Sequence, residues 1–146
     1  MNDMKKRLYI GCALTNLPDD KRVSLLAMIA EIKKELGQPF EILEFVGVDD
    51  LKTNKPLTPT QVYSFDIDEC LMKTDYFLAI CDFPALGLGY ELGTAIEKMG
   101  ILVLAVAHEN ATVSRSIIGV TRPNYHFFRY NSPDEIIKKA LEIFPH

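Results

Sequence analysis

The sequence predicts a single α/β domain built on a doubly wound, five-stranded parallel sheet. Three observations carry that prediction. Short apolar segments alternate with amphipathic ones along the chain in the order β-α-β-α-β-α-β-α-β, and such alternation pairs strands in parallel with helices on both faces. The segment Ile101 to Ala107 is apolar throughout, as a strand covered on both sides requires. The length of 146 residues suits one domain, residues 1–146, whose core needs no disulfide or metal.

The elements follow in order. Leu8 to Ala13 reads as a buried first strand. Asp19 to Leu36 reads as an amphipathic helix, with Val23, Leu26, Ile29, Ile32 and Leu36 at helical spacing and Gly37 as its stop. Phe40 to Phe45 is the second strand. Gly47 to Pro59 is the one long irregular stretch, rich in Asp, Lys, Thr and Pro, and reads either as a lid over a site or as a surface loop. Thr60 to Lys73 is a helix with Val62, Phe65 and Leu71 roughly on one face, and Tyr76 to Cys81 is the third strand. A glycine-rich turn and a helix ending at Gly100 lead to the fourth strand, Ile101 to Ala107. Thr112 to Ile118 is a short helix and Tyr125 to Tyr130 the fifth strand. Ser132 caps a last helix with Pro133 at its first position and Ile136, Ile137, Leu141 and Phe144 apolar. Right-handed crossovers narrow these elements to a flavodoxin-like, Rossmann-like arrangement.

Composition removes several function classes. The net charge is −4, and no basic stripe of the kind nucleic-acid binders show is visible. The pairs Lys33-Lys34 and Lys138-Lys139 fall late in predicted helices, where cations complement the dipole. Three cysteines, Cys12, Cys70 and Cys81, are widely spaced with no CxxC, so they read as plain thiols in a reducing cytosol rather than a zinc site. The charged N-terminus has no signal-like apolar region, and no apolar run approaches the ~20 residues of a membrane helix. The expectation is a soluble, cytoplasmic protein with no nucleic-acid or membrane partner.

The most informative string is Pro84-Ala85-Leu86-Gly87-Leu88-Gly89-Tyr90-Glu91-Leu92-Gly93. It joins a buried strand to a helix, with Glu91 placed on the first helical turn. Glycines permit positive φ and close backbone approach, and ligands in open α/β sheets bind beyond the carboxyl ends of strands. A carboxylate there can serve as base, nucleophile or sugar-hydroxyl ligand; the plainer alternative is a Glu that stabilises the helix dipole. The first strand is followed by Gly11-Cys12-Ala13-Leu14-Thr15-Asn16, which is neither GxGxxG nor a P-loop, and no nucleophile-elbow serine is present. Nothing calls for a cofactor or a metal. His108, His126 and His146 are scattered.

The string GLGYELG, after a strand that opens with Asp75-Tyr76-Phe77-Leu78-Ala79 and with Tyr9-Ile10-Gly11-Cys12-Ala13 at the first strand, resembles the nucleoside 2-deoxyribosyltransferase superfamily, which includes the 2′-deoxynucleoside 5′-phosphate N-hydrolases. The resemblance spans Leu8 to about Val120. It implies that Glu91 is the nucleophile that attacks the anomeric carbon, expels the nucleobase and forms a covalent glycosyl-enzyme, after which water or a second base takes the sugar. It also implies a second carboxylate. Tyr63-Ser64-Phe65-Asp66 matches the family's Tyr-x-x-Asp spacing, so Asp66 is the choice, at the cost of a one-residue insertion before Asp75; Asp68 is the alternative, and simple solvation of both is the third. Tyr9 matches a family tyrosine that could hydrogen-bond the nucleophile, or else it is a core residue. Gly11 and Cys12 would line the base and sugar pocket, with Ala85, Gly87 and Gly89 on the substrate from the glycine turn.

The chain departs from both branches of that family. The hydrolase branch holds the 5′-phosphate with serines; here two of these positions are Ala13 and Ala85, and the third, supplied by a neighbouring subunit, matches Ser114. Arg115 and Arg122 lie near it and could contact phosphate. The transferase branch carries an Asp where Ala85 stands, although Asp82 is close, and its Asn-containing C-terminal segment is faintly echoed by Pro123-Asn124-Tyr125. The expectation is therefore an N-glycosidase or deoxyribosyltransferase acting on a nucleoside or its 5′-monophosphate, without cofactor or metal, in a homo-oligomer. The aromatic cluster Tyr125, Phe127, Phe128 and Tyr130 reads as a dimer face or as a core strand. The competing readings are a non-catalytic nucleotide-binding module of the same fold and a phosphoribohydrolase of the lysine-decarboxylase-like type, whose PGGxGTxxE motif is not matched here.

Overall fold

The computed structural model describes residues 4–14, 17–43 and 57–146. Strands β1 (Lys6–Cys12), β2 (Phe40–Leu43), β3 (Tyr76–Ile80), β4 (Leu102–His108) and β5 (Tyr125–Tyr130) form one sheet in the order β2-β1-β3-β4-β5. Every pairing is parallel. This is the flavodoxin-like order, and its direction reverses between β1 and β3. The ligand crevice of such a sheet lies beyond Cys12 and Ile80, where those two strands end.

Burial explains why these segments are strands. All of β3 is buried, as are Val103 to Ala107 of β4, so the apolar runs are the middle of the sheet with helices on both sides. On the outermost strand, Tyr125 and Tyr130 are buried, while Phe127 and Phe128 pack half-buried against the core. Among the described residues, Cys12, Cys70 and Cys81 take part in no disulfide.

The helices differ more from expectation. Helix α1 (Asp19–Leu36) buries Leu25, Ile29, Ile32 and Leu36; Val23, placed on the apolar face by spacing, is 68% exposed. Helix α2 (Pro59–Tyr63) starts one residue earlier than predicted, because Thr58 and Gln61 form a capping box around Pro59. It continues as a π-turn, Ser64–Cys70, and a 3₁₀ turn, Leu71–Lys73. The wider π-turn shifts the phase of the helix, so Ile67, Cys70 and Leu71 are buried while Val62 and Phe65 are exposed. Residues 44–56, which hold most of the irregular stretch and its lid-or-loop alternatives, lie outside the described residues.

Helix α3 (Leu86–Gly93) corrects the reading of the glycine string. The string is helical, not a turn, and among the described residues the glycine with positive φ is Gly100 (φ 65), at the end of the π-turn Thr94–Met99 that prolongs α3. Helix α4 is only Arg115–Ile118. Helix α5 (Pro133–Ile143) buries Ile136 and Ala140, with Phe144 just beyond. Leu141 is exposed, and Lys138 and Lys139 lie mid-helix rather than at its end. No helix among the described residues is long and apolar enough to cross a membrane.

Candidate active site

β1 ends in Tyr9, Ile10, Gly11 and Cys12, and strand alternation points Tyr9 and Gly11 to one face. Helix α3 runs above that face. Its sixth residue is Glu91, so the carboxylate stands on the second turn, not the first. Macrodipole stabilisation falls off within the first turn and does not explain it. Instead Tyr9 donates its phenolic hydrogen to Glu91 Oε1 at 3.0 Å. The other oxygen lies over Gly11: a Cβ added there would stand 3.0 Å from Glu91 Oε2 and 2.8 Å from Phe77 Cε1. Gly11 is thus where a backbone must lack a side chain for the carboxylate to approach. Phe77, on β3, stacks on Tyr9 with ring centroids 5.3 Å apart and planes 17° from parallel.

The electrostatics follow from this seat. Burial pushes the Glu91 carboxyl up to about 8; the Tyr9 hydrogen bond opposes the rise and the Asp66 charge adds to it. The Tyr9 phenol is raised far above its ordinary range by burial, then by Glu91 and Asp66. Burial, followed by Glu91 and Asp82, lifts the Cys12 thiol to about 12. Tyr9 and Cys12 therefore stay neutral, and Glu91 titrates near physiological pH, the range suited to acid–base or nucleophilic work.

The two candidate second carboxylates separate cleanly. Asp66, half-buried in the π-turn, acts electrostatically on both Tyr9 and Glu91. Asp68 is exposed and accepts a hydrogen bond from Ser64 at 3.5 Å. Tyr63, one helical step before Asp66, meets Tyr90 on α3 with centroids 6.3 Å apart, and both rings are exposed.

The remaining predicted residues gather elsewhere. Ala85, the N-cap residue of α3, with no side-chain cap, lines a cavity of about 410 Å³ together with Gly89, Ser114, Ser116, Phe83 and Ile117. Glu91 is not among its lining residues. Ala85, Leu88, Gly89 and Leu92 follow one helical face and Gly87 and Glu91 another, so α3 separates the cavity from the carboxylate. Gly87 and Gly89 have open space where a side chain would be. Ser114 shares a hydrogen bond with Ser116 at 2.9 Å.

Three sequence suggestions change with the structure. Arg122 is engaged by Glu97, its Nε lying 2.9 Å from the carboxylate. The Asn124 amide donates to the Ile96 and Ile101 carbonyls at 3.2 and 2.7 Å, tying the end of the α3 extension to β4. Asp82 accepts from the His108 backbone N–H at 2.8 Å and from the Tyr130 hydroxyl, which joins the ends of β3, β4 and β5. Sequence reasoning missed Phe77 as part of the site, and no local signal marks it apart from its β-register with Tyr9. Among the described residues, no three of His, Cys, Asp and Glu come together as a metal site would need.

Comparisons with known proteins agree with this frame. No protein-family model matches the chain. A protein of Thermofilum pendens with the provisional name 2′-deoxynucleoside 5′-phosphate N-hydrolase 1 is 30% identical over 123 residues, which cover 80% of this chain and 85% of that one. A protein of Methanococcoides burtonii with the same provisional name is 37% identical over 65 residues, 44% of this chain and 52% of that one. Among solved structures, the CMP N-glycosidase BcmB of Clostridium botulinum superposes with a TM-score of 0.69 at 21% identity, covering 95% of this chain and 100% of that one.

Proposed function

Because the chain belongs to the nucleoside 2-deoxyribosyltransferase-like superfamily, we propose that it is an N-glycosidase that hydrolyses the bond between nucleobase and sugar in a nucleoside 5′-monophosphate, with Glu91 as nucleophile. The observation that carries this reading is the seat of Glu91: a half-buried carboxylate, held at one oxygen by Tyr9 and resting on Gly11, at the strand ends where such sheets bind ligands. The substrate class is supported by relatives named for nucleotide N-hydrolysis.

The chemistry runs in two halves. Near neutral pH Glu91 holds a proton, which must leave before attack. Asp66, whose charge Glu91 feels, is the neighbouring acceptor. Glu91 then attacks the anomeric carbon as the C–N bond breaks, and the bond's electrons go to the base. Protonated Asp66 supplies the proton, because an anionic base is a poor leaving group. Water, activated by the same Asp66, releases the sugar and restores Glu91. Tyr9 orients the carboxylate throughout, and Gly11, Cys12 and Gly87 border the space left for base and sugar.

Ser114, exposed at the start of α4, is read as a phosphate ligand presented to a neighbouring copy in a homo-oligomer. Leu86, 95% exposed on α3 and lining the same cavity as Ser114, supports a contact there. The absence of hydroxyls at Ala13 and Ala85, together with the engagement of Arg122 by Glu97, favours as second reading a nucleotide-binding module without turnover.

The test is chromatography of base release from nucleosides and 5′-monophosphates, ribo and deoxy, with and without a second free base. Release from monophosphates without acceptor supports the proposal. Exchange only with a second base makes the protein a transferase, and binding without release leaves the module.

A further inference from the structure

We propose that Phe77 is a positioning residue for the nucleophile, its ring fixing the Tyr9 phenol that orients the Glu91 carboxylate. The proposal rests on the N-glycosidase reading for its consequence in catalysis, but its geometry stands apart from it.

Tyr9 and Phe77 are register partners on neighbouring strands, so their side chains leave the sheet side by side on one face. The rings stack 5.3 Å apart and nearly parallel. A phenol at the end of two rotatable bonds swings readily unless a neighbour fills the space beside it, and Phe77 does so from a position fully withdrawn from solvent. The Tyr9 hydroxyl is thereby aimed at Glu91 Oε1, 3.0 Å away.

The same ring also borders the space of the second oxygen. Two residues on from Tyr9, the space above Gly11 is shared by the Phe77 edge and by Glu91 Oε2, at 2.8 and 3.0 Å from where a Cβ would be. Phe77 is the wall of that space. Its neighbour on the same face of β3, Ala79, is fully buried without a ring, so burial on that face does not in itself demand one. The aromatic plane is needed where Tyr9 and Gly11 meet.

The experiment compares Phe77→Leu in two backgrounds, wild type and Tyr9→Phe, by initial rates of base release from nucleoside 5′-monophosphates, with Leu104→Ala as a buried control on β4, in register with Leu78 on the opposite face of the sheet from Phe77. If Phe77 acts through Tyr9, Phe77→Leu lowers kcat by roughly tenfold or more with KM within about twofold, and costs at most about threefold where the phenol is already gone, because coupled residues are non-additive. Leu104→Ala lowers the unfolding midpoint without that kcat loss. Equal losses in both backgrounds overturn the proposal and reduce Phe77 to a packing residue. If the wild type releases no base from any substrate, the N-glycosidase reading falls instead, and the crystal structure of Phe77→Leu decides: a Tyr9 hydroxyl withdrawn beyond hydrogen-bonding reach of Glu91 supports positioning, and an unchanged 3.0 Å contact overturns it.

Discussion

Tyr9 and Glu91 stand 82 positions apart in sequence and meet at 3.0 Å, the phenol donating to Oε1. The pair ties the first strand of the sheet to the helix that follows the third. It also sets a balance. Burial favours the neutral acid, and the hydrogen bond favours the carboxylate. Removing the donor tips that balance.

Tyr9→Phe keeps the ring and its stacking and deletes only the hydroxyl. With Glu91 as nucleophile and its proton carried by Asp66 to the leaving base, kcat/KM of the wild type falls with pH through a descending limb near 8, where burial of Glu91 sets the loss of the pair's proton. In the variant the limb moves to higher pH, and kcat/KM at neutral pH falls by roughly ten- to a hundredfold, the worth of one hydrogen bond to a charged group. A pH–rate profile reads both. A limb that stays in place would show that the phenol does not control the carboxylate.

Asp66→Asn and Asp68→Asn distinguish the two carboxylates. Asp66 acts on Glu91 and Asp68 does not figure among the causes of its shift. Loss of the proton carrier at Asp66 costs on the order of 10²- to 10³-fold in kcat, in the range of a general acid–base group, whereas Asp68→Asn stays within about threefold, as exposed substitutions do. Comparable losses in both variants would remove Asp66 from its role.

The difference between these two residues also shows what the sequence made legible. The parallel five-stranded sheet and its buried middle were readable, because an alternation of elements around an apolar run such as Ile101 to Ala107 points to a strand covered on both faces. GLGYELG and Tyr9-Ile10-Gly11 drew attention to Glu91 and Tyr9, which the structure brings into contact. The π-turn over Ser64–Cys70 was not readable: nothing in Ser64-Phe65-Asp66-Ile67-Asp68 announces an extra residue per turn, yet that residue decides which Asp faces inward and leaves Val62 and Phe65 outside. The glycines of α3 suggested a turn because glycine is a poor helix former. The helix survives because Leu88 and Leu92 anchor it on the sheet. Phe77 looked like any strand residue, since its role depends on a partner 68 positions away and on an empty place at Gly11.

Gly11→Ala tests that empty place. The new methyl would overlap the Phe77 edge and Glu91 Oε2. Both are side chains and can yield, so the protein folds, with a loss of about 1–3 kcal/mol, as overpacked cores show. The carboxylate yields by leaving its position, and kcat falls roughly a hundredfold, the cost of misplacing a reacting group by about an ångström. Thermal unfolding and initial rates together check this. Wild-type turnover in the variant would mean that the seat over Gly11 is irrelevant to catalysis.

Glu91→Gln addresses the cost of keeping a carboxylate in this seat. The folded-state value is about 8, against an ordinary 4.5. Between those pH values the folded protein binds a proton at Glu91 that the unfolded chain has released, so stability falls as pH rises. The contribution of Glu91 is thus fully favourable below about pH 4.5 and is lost by about pH 8, the reverse of a salt-bridged acid. Glutamine fits the site, can still accept from Tyr9, and cannot ionise. Wild type and variant should therefore have similar unfolding free energies near pH 5 and diverge toward pH 8, where the variant is the more stable by up to a few kcal/mol. The Cys12 thiol, raised to about 12, titrates outside this window in the folded state, and the other groups cancel in the difference between the two proteins. Denaturant unfolding of both at several pH values measures the divergence. Parallel curves would mean that Glu91 is already ionised at neutral pH, and that the proton transfer to Asp66 before attack is unnecessary.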